Sequence, residues 1–143
     1  MNARFPEIRI PAEPGSLARL VSFLGACADE SGCDATGKNK LQLAAEEAFI
    51  NICSYAYPQE RGDVTVSCGL KDGLLFVEMI DEGIPFDLIS VHDPDVTLGL
   101  DERSPGGLGI YFIKKLTGGR VTYRRENRRN ILRLDFSCRL DAG

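Results

Sequence analysis

The sequence predicts an α+β fold: a two-layer α/β sandwich in which a mixed, mostly antiparallel sheet carries its helices on one face. Three observations predict it. The elements run strand, helix, helix, strand, strand, loop, helix, strand, strand, an order that fits helices layered on a sheet. Two pairs of strand-like runs are joined by short turns, which makes the members of each pair antiparallel. The predicted helices carry apolar stripes that need a sheet to cover them.

Arg4 to Ile10 alternates imperfectly, with Phe5, Ile8 and Ile10 apolar, and reads as a strand ended by Pro11 and Pro14. Ser16 is placed to cap the next helix, whose Leu17, Leu20, Val21, Leu24 and Cys27 fall three or four apart before Ser31-Gly32 stops it. A second helix opens near Asp34 to Lys38. Its Leu41, Ala44, Ala45, Ala48, Phe49, Ile52 and Ala56 form one broad stripe that runs to Tyr57-Pro58. Asp63 to Leu70 and Leu74 to Ile80 are strands joined by Lys71-Asp72-Gly73, which has hairpin chemistry. The second of them is almost wholly apolar and belongs at the centre of the sheet. Periodicity fails from Leu88 to Pro105, a connection long enough to serve a function. Leu108 to Leu116 is a short helix entered through glycines and closed at Thr117-Gly118-Gly119. Arg120 to Arg125 and Asn130 to Ser137 are the last two strands, linked by an arginine-rich turn.

The bulk numbers bound the function. With 143 residues, the chain is expected to form one domain over 1–143. At 43% apolar, 27% charged and net charge -4, it is neither disordered nor built to grip nucleic acid. No window holds the ~18 apolar residues of a membrane span, and the segment Met1 to Pro11 lacks a secretory pattern. Cytoplasmic residence is the expectation. Cys27, Cys33, Cys53, Cys68 and Cys138 are odd in number and contain no Cys-x-x-Cys pair, which argues against a zinc site or a disulfide framework and for small buried thiols.

Three pieces carry chemistry. Glu47 and Asn51 lie four apart on the second helix, within about 40° of one another around its axis, so they project together. Such pairs are common on solvated helix faces, but this helix is otherwise apolar and Asn is a weak helix former. A carboxamide oxygen suits Mg²⁺, which takes few protein ligands, and a carboxylate one turn away suits a general base. Asp81 closes the apolar run Leu74 to Ile80. Its carboxylate is placed to accept the exocyclic amine of adenine and to repel the carbonyl of guanine, and Gly83 allows the backbone to approach a base. Gly106-Gly107-Leu108-Gly109-Ile110 enters the third helix, where backbone N–H groups form an anion site suited to phosphate. Each piece alone also reads as ordinary helix face, turn or helix entry. Taken in order, they read as one ATP site. The phosphate loop, the dinucleotide fingerprint and the eukaryotic-type protein kinase motifs are all missing from the sequence.

With those residues in view, the chain resembles the GHKL ATPase superfamily, which uses the Bergerat fold. Glu47-Ala48-Phe49-Ile50-Asn51 is similar to its N box, Asp81-Glu82-Gly83 to its G1 box and Gly107-Leu108-Gly109 to its G2 box, in a match over about residues 35 to 138. Within it, Glu47-Ala-x-x-Asn51 and Pro85-Phe86-Asp87 resemble the small bacterial anti-sigma factor serine kinases. The resemblance implies Mg²⁺ and ATP, with Asn51 as metal ligand, Glu47 as base, Asp81 as adenine reader, Gly83 in the base pocket, and residues 88–105 as an ATP lid. It also implies phosphorylation of a serine on an anti-sigma-factor antagonist in a partner-switching system, capture of a sigma factor, and a homodimer; the alternative is a module that binds ATP or ADP and sequesters a regulator without catalysis. Arg103 is placed to reach the terminal phosphate. The pattern departs where a glycine-threonine before the last strand is replaced by Arg129-Asn130. His92, the only histidine, lies in the lid, so the chain lacks the phosphoacceptor helix of a complete histidine kinase. The lid acids Asp87, Asp93, Asp95, Asp101 and Glu102 are expected to face away from phosphate, and Arg120, Arg124, Arg125, Arg128 and Arg129 form either a solvated turn or a docking surface for an acidic partner.

Overall fold

The computed structural model describes residues 5–59, 61–90 and 107–137. Strands β1 (Glu7–Pro11), β2 (Asp63–Lys71), β3 (Leu74–Asp81), β4 (Val121–Glu126) and β5 (Arg129–Phe136) form one sheet in the order β1-β2-β3-β5-β4. Every pairing is antiparallel, so the expected parallel admixture is absent among these strands. Helices α1 (Leu17–Glu30), α2 (Ala35–Asn51) and α3 (Gly107–Thr117) make the second layer.

Strand alternation explains how the layers meet. Val64, Val66 and Cys68 of β2, Leu75, Val77 and Met79 of β3, and Leu132 and Leu134 of β5 all point toward the helices and are buried. Against them lie Leu20 and Leu24 of α1, Leu41, Ala44, Ala45, Ala48 and Phe49 of α2, and Ile110 and Ile113 of α3. Strand β3 sits at the centre, as its apolar run predicts. Its outer face is covered locally too: the Phe5 ring meets Phe76 edge-on at 4.7 Å, and the Arg133 guanidinium lies 4.5 Å above the same ring.

Local signals account for the boundaries. Asp34 caps α2 by accepting the Gly37 N–H at 2.7 Å. Ser16 does not cap α1: a 3-10 turn, Pro14–Ser16, runs directly into the helix, and the serine hydroxyl makes no cap bond. Helix α1 closes with Cys33 N–H donating to Ala28 O and Gly32 N–H to Asp29 O, and α3 repeats the pattern from Gly119 to Lys114 and Gly118 to Lys115. Cys27, Cys53 and Cys68 are free thiols, and burial pushes the Cys53 thiol up to about 11. Cys33 is disulfide-bonded, an exception to the expectation of small buried thiols for most of the cysteines. No helix among the described residues is long and apolar enough to cross a membrane.

Candidate functional site

Helix α2 does not end where its α-helical pattern does. Directly after Asn51 the chain widens into a π-helical turn, Ile52–Ala56, before Tyr57 leaves the helix. Two consequences follow for the site. The side chain of Asn51, only 5% exposed, donates through Nδ2 to Glu47 O at 2.7 Å, so its own helix holds it. Its Oδ1 then has no donor among the described residues and is a buried acceptor in need of a partner. The π turn also presents Ala56 O to the Ile84 N–H at 2.9 Å, tying the segment after β3 to the end of the motif helix.

The two glycines expected in the site both pack against this helix. A Cβ on Gly109 would lie 2.7 Å from Asn51 Nδ2 and 3.2 Å from Glu47 Oε2, so the start of α3 touches both motif side chains. A Cβ on Gly83 would lie 2.3 Å from Ala56 O and 2.8 Å from Ala56 Cβ. Gly109 therefore packs on the Glu47–Asn51 pair and Gly83 on the π turn that follows it, with Asp81 two residues from Gly83.

Asp81 is 3% exposed at the end of β3. Its Oδ1 accepts the Gly83 N–H at 2.9 Å and Asn130 Nδ2 at 2.8 Å, while Oδ2 receives no donor among the described residues. Burial pushes its pKa above the ordinary carboxylate range, opposed by those two hydrogen bonds and by the nearby Arg125 charge. Arg125 donates to Gly83 O at 2.7 Å and so closes the loop from the other side. Tyr57 staples the base of the same loop, its hydroxyl accepting the Glu82 N–H at 2.7 Å and donating to Asp63 O at 3.0 Å. Phe86 stacks on Tyr55 with centroids 5.0 Å apart.

Other expected site residues fare differently. Ile110 is fully buried in the core, so its side chain is a packing group and only its backbone is available to a ligand. Gly107 and Leu108 form the first turn of α3, where the opening N–H groups of a helix lack intrahelical acceptors. Gly106, Arg103 and His92, with residues 91–105 of the lid expected over 88–105, lie outside the described residues. The lid was expected to begin at Leu88, but Leu88 is a core residue opening a 3-10 turn, Leu88–Ser90. Asp87 supports that turn, with Ile89 N–H donating to its Oδ1 at 3.0 Å and Ser90 Oγ to its backbone oxygen at 2.9 Å. Among the arginines of the last hairpin, Arg124 pairs with Glu126 at 2.9 Å, Arg125 turns inward to Gly83, and Arg120 donates to Thr117 O. Asn130, Tyr123 and Tyr57 are the groups that the sequence did not single out. For Asn130 the signal in the sequence was the departure at Arg129-Asn130.

A five-stranded antiparallel sheet under three helices, with a buried carboxylate at the end of its central strand and a glycine-entered helix against a buried amide, has the architecture of a Bergerat-type fold of the GHKL class. Residues 10–136 match the histidine kinase-like ATPase domain family, and the chain belongs to it. It is 30% identical over 122 residues, 80% of this chain and 75% of the relative, to the serine-protein kinase RsbW of Bacillus subtilis. It is 32% identical over 117 residues to the serine-protein kinase RsbW of Bacillus velezensis, covering 77% of this chain and 72% of the relative. Among solved structures, the RsbU and RsbW domains of a Mycobacterium tuberculosis protein superpose with a TM-score of 0.62 at 16% identity, over 94% of this chain and 33% of that one. The histidine kinase domain of a blue-light activated kinase from Erythrobacter litoralis gives 0.52 at 18% identity, over 96% of this chain and 70% of that one. These structural likenesses establish the fold.

Proposed function

We propose that the chain is an ATP-dependent serine protein kinase that phosphorylates an anti-sigma-factor antagonist in a bacterial partner-switching system. The observation that carries this reading is the contact of Gly109 with both Asn51 and Glu47, which supports reading the amide as metal ligand, the carboxylate as base and the start of α3 as phosphate site. The named activity of the RsbW relatives supports it.

The residues fit Mg-ATP. Asp81 Oδ2 accepts the adenine amine, and Gly83, in the base pocket, has room only for the close packing of its loop on Ala56. Asn51 Oδ1, a buried acceptor without a donor among the described residues, would hold a magnesium ion, which would supply charge neutralisation at the phosphates. The first N–H groups of α3, from Gly107 to Gly109, receive phosphate oxygens. Glu47 takes the proton from the acceptor serine as its oxygen bonds to the γ-phosphorus and the bond to ADP breaks. The product pair is phosphoserine and ADP. Capture of a sigma factor by the same protein, a homodimeric state, cytoplasmic residence and a single domain over 1–143 complete the reading.

Incubating the protein with γ-labelled Mg-ATP and an antagonist protein tests it. Label on an antagonist serine is expected from the wild type. Glu47→Ala is expected to slow transfer by about 10²–10⁴-fold, the usual worth of a general base, while nucleotide affinity stays near wild type. Nucleotide-dependent complex formation with no label in either protein would replace the kinase by a binding module.

A further inference from the structure

Asn130 stands opposite Asp81 across the β3–β5 pairing, and each is 3% exposed. Asparagine is a poor strand former, and a buried amide is costly unless all its valences are met. Here they are met in full. Nδ2 donates to Asp81 Oδ1 and to Ile84 O, each at 2.8 Å, while Oδ1 accepts the Tyr123 hydroxyl at 2.6 Å and the Phe86 N–H at 3.4 Å. The orientation of the amide is forced, because Ile84 O can only accept and the Phe86 N–H can only donate. Turning the amide over would set N–H against N–H and oxygen against oxygen.

The consequence falls on Asp81. With Asn130 Nδ2 and the Gly83 N–H both on Oδ1, the carboxylate is fixed about its terminal bond, and Oδ2 is the oxygen left to the pocket. We propose that Asn130, oriented by Tyr123, is a positioning residue for purine selectivity: it fixes which Asp81 oxygen meets the 6-position of the base. The inference rests on the reading of Asp81 as the adenine acceptor. It gives the departure at Arg129-Asn130 a physical role, since this amide both orients the carboxylate and binds the 84–86 segment that borders it.

The test compares Mg-ATP with the Mg complex of purine riboside triphosphate, which lacks the 6-amine, by calorimetry on wild type, Asn130→Ala and Tyr123→Phe. The wild type is expected to prefer ATP by about tenfold or more, the worth of one hydrogen bond to a charged group. Asn130→Ala is expected to bring the ratio close to one, chiefly by weakening ATP. Tyr123→Phe removes one hydroxyl from a half-buried ring, keeps the fold if Asn130→Ala does not, and is expected to lower the ratio part of the way. Equal weakening of both nucleotides would make Asn130 a loop staple and overturn the proposal, as would a wild-type ratio in both variants. A wild-type ratio of one is a different failure: it removes Asp81 as adenine reader, and the proposal with it.

Discussion

The buried carboxylate of Asp81 is costly to the fold and useful to the site. Its pKa is raised by burial, so the native state favours the neutral acid relative to the unfolded chain. The stability tied to that preference is present below the unfolded-state pKa and is lost as pH rises through the higher folded-state value. Asp81→Asn keeps an oxygen for Gly83 N–H and Asn130 Nδ2 and removes the buried charge. Its thermal midpoint at pH 7 is therefore expected to equal or exceed that of the wild type, with the gap closing at acid pH, while ATP affinity falls because an amide N–H now faces the adenine amine. A lower midpoint across the whole pH range would show that the carboxylate stabilises the fold. Gly109→Ala tests the neighbouring contact. Its Cβ meets Asn51 Nδ2, which is already held by Glu47 O and cannot retreat without breaking that bond. A destabilisation of about 1–3 kcal/mol in chemical denaturation is expected, together with weaker Mg-ATP binding, although Gly→Ala in an open helix would be stabilising.

At the scale of elements, local chemistry was legible and long-range chemistry was not. The opening of α2 at Asp34, the Lys71-Asp72-Gly73 hairpin and the glycine stops of α1 and α3 are written in neighbouring residues and appear in the structure. The Ser16 cap failed because Pro14 starts a 3-10 turn that passes straight into α1. The π turn at Ile52–Ala56 left no mark, since its apolar residues suit an α-helix equally well. The Glu47–Asn51 pair was visible because it is four residues apart. The partner of Asp81 was not, because Asn130 lies 49 residues away and only strand register brings the two together. The arginine-rich turn holds Asn127 and Arg128 at φ 53 and 64, a left-handed pair that reverses the chain between β4 and β5. Arginine has no side-chain reason to adopt that geometry. Arg128→Gly is expected to stabilise the protein by up to about 1 kcal/mol, the left-handed strain relieved less the added backbone entropy. A loss of stability in equilibrium unfolding would mean that the Arg128 side chain makes a contact worth more than the strain.

For the molecule as a whole, the fold is a device for bringing the end of a central strand, the end of a long helix and the start of another to one place. Strand β3 is buried on its helix-facing side and delivers Asp81 at its last residue. Helix α2 lies across the sheet and brings Glu47 and Asn51 to its own end, where the π turn and Gly83 meet. Helix α3 closes the third side through Gly109. The convergence of these three elements on one nucleotide is the central claim, and calorimetric titration of the wild-type protein with Mg-ATP, with Mg-GTP alongside, tests it most directly. Saturable binding of ATP at one site per chain, with GTP at least about tenfold weaker for want of the hydrogen bond to Asp81, is the predicted result. Equal affinity for the two nucleotides, or no heat with either, would contradict it.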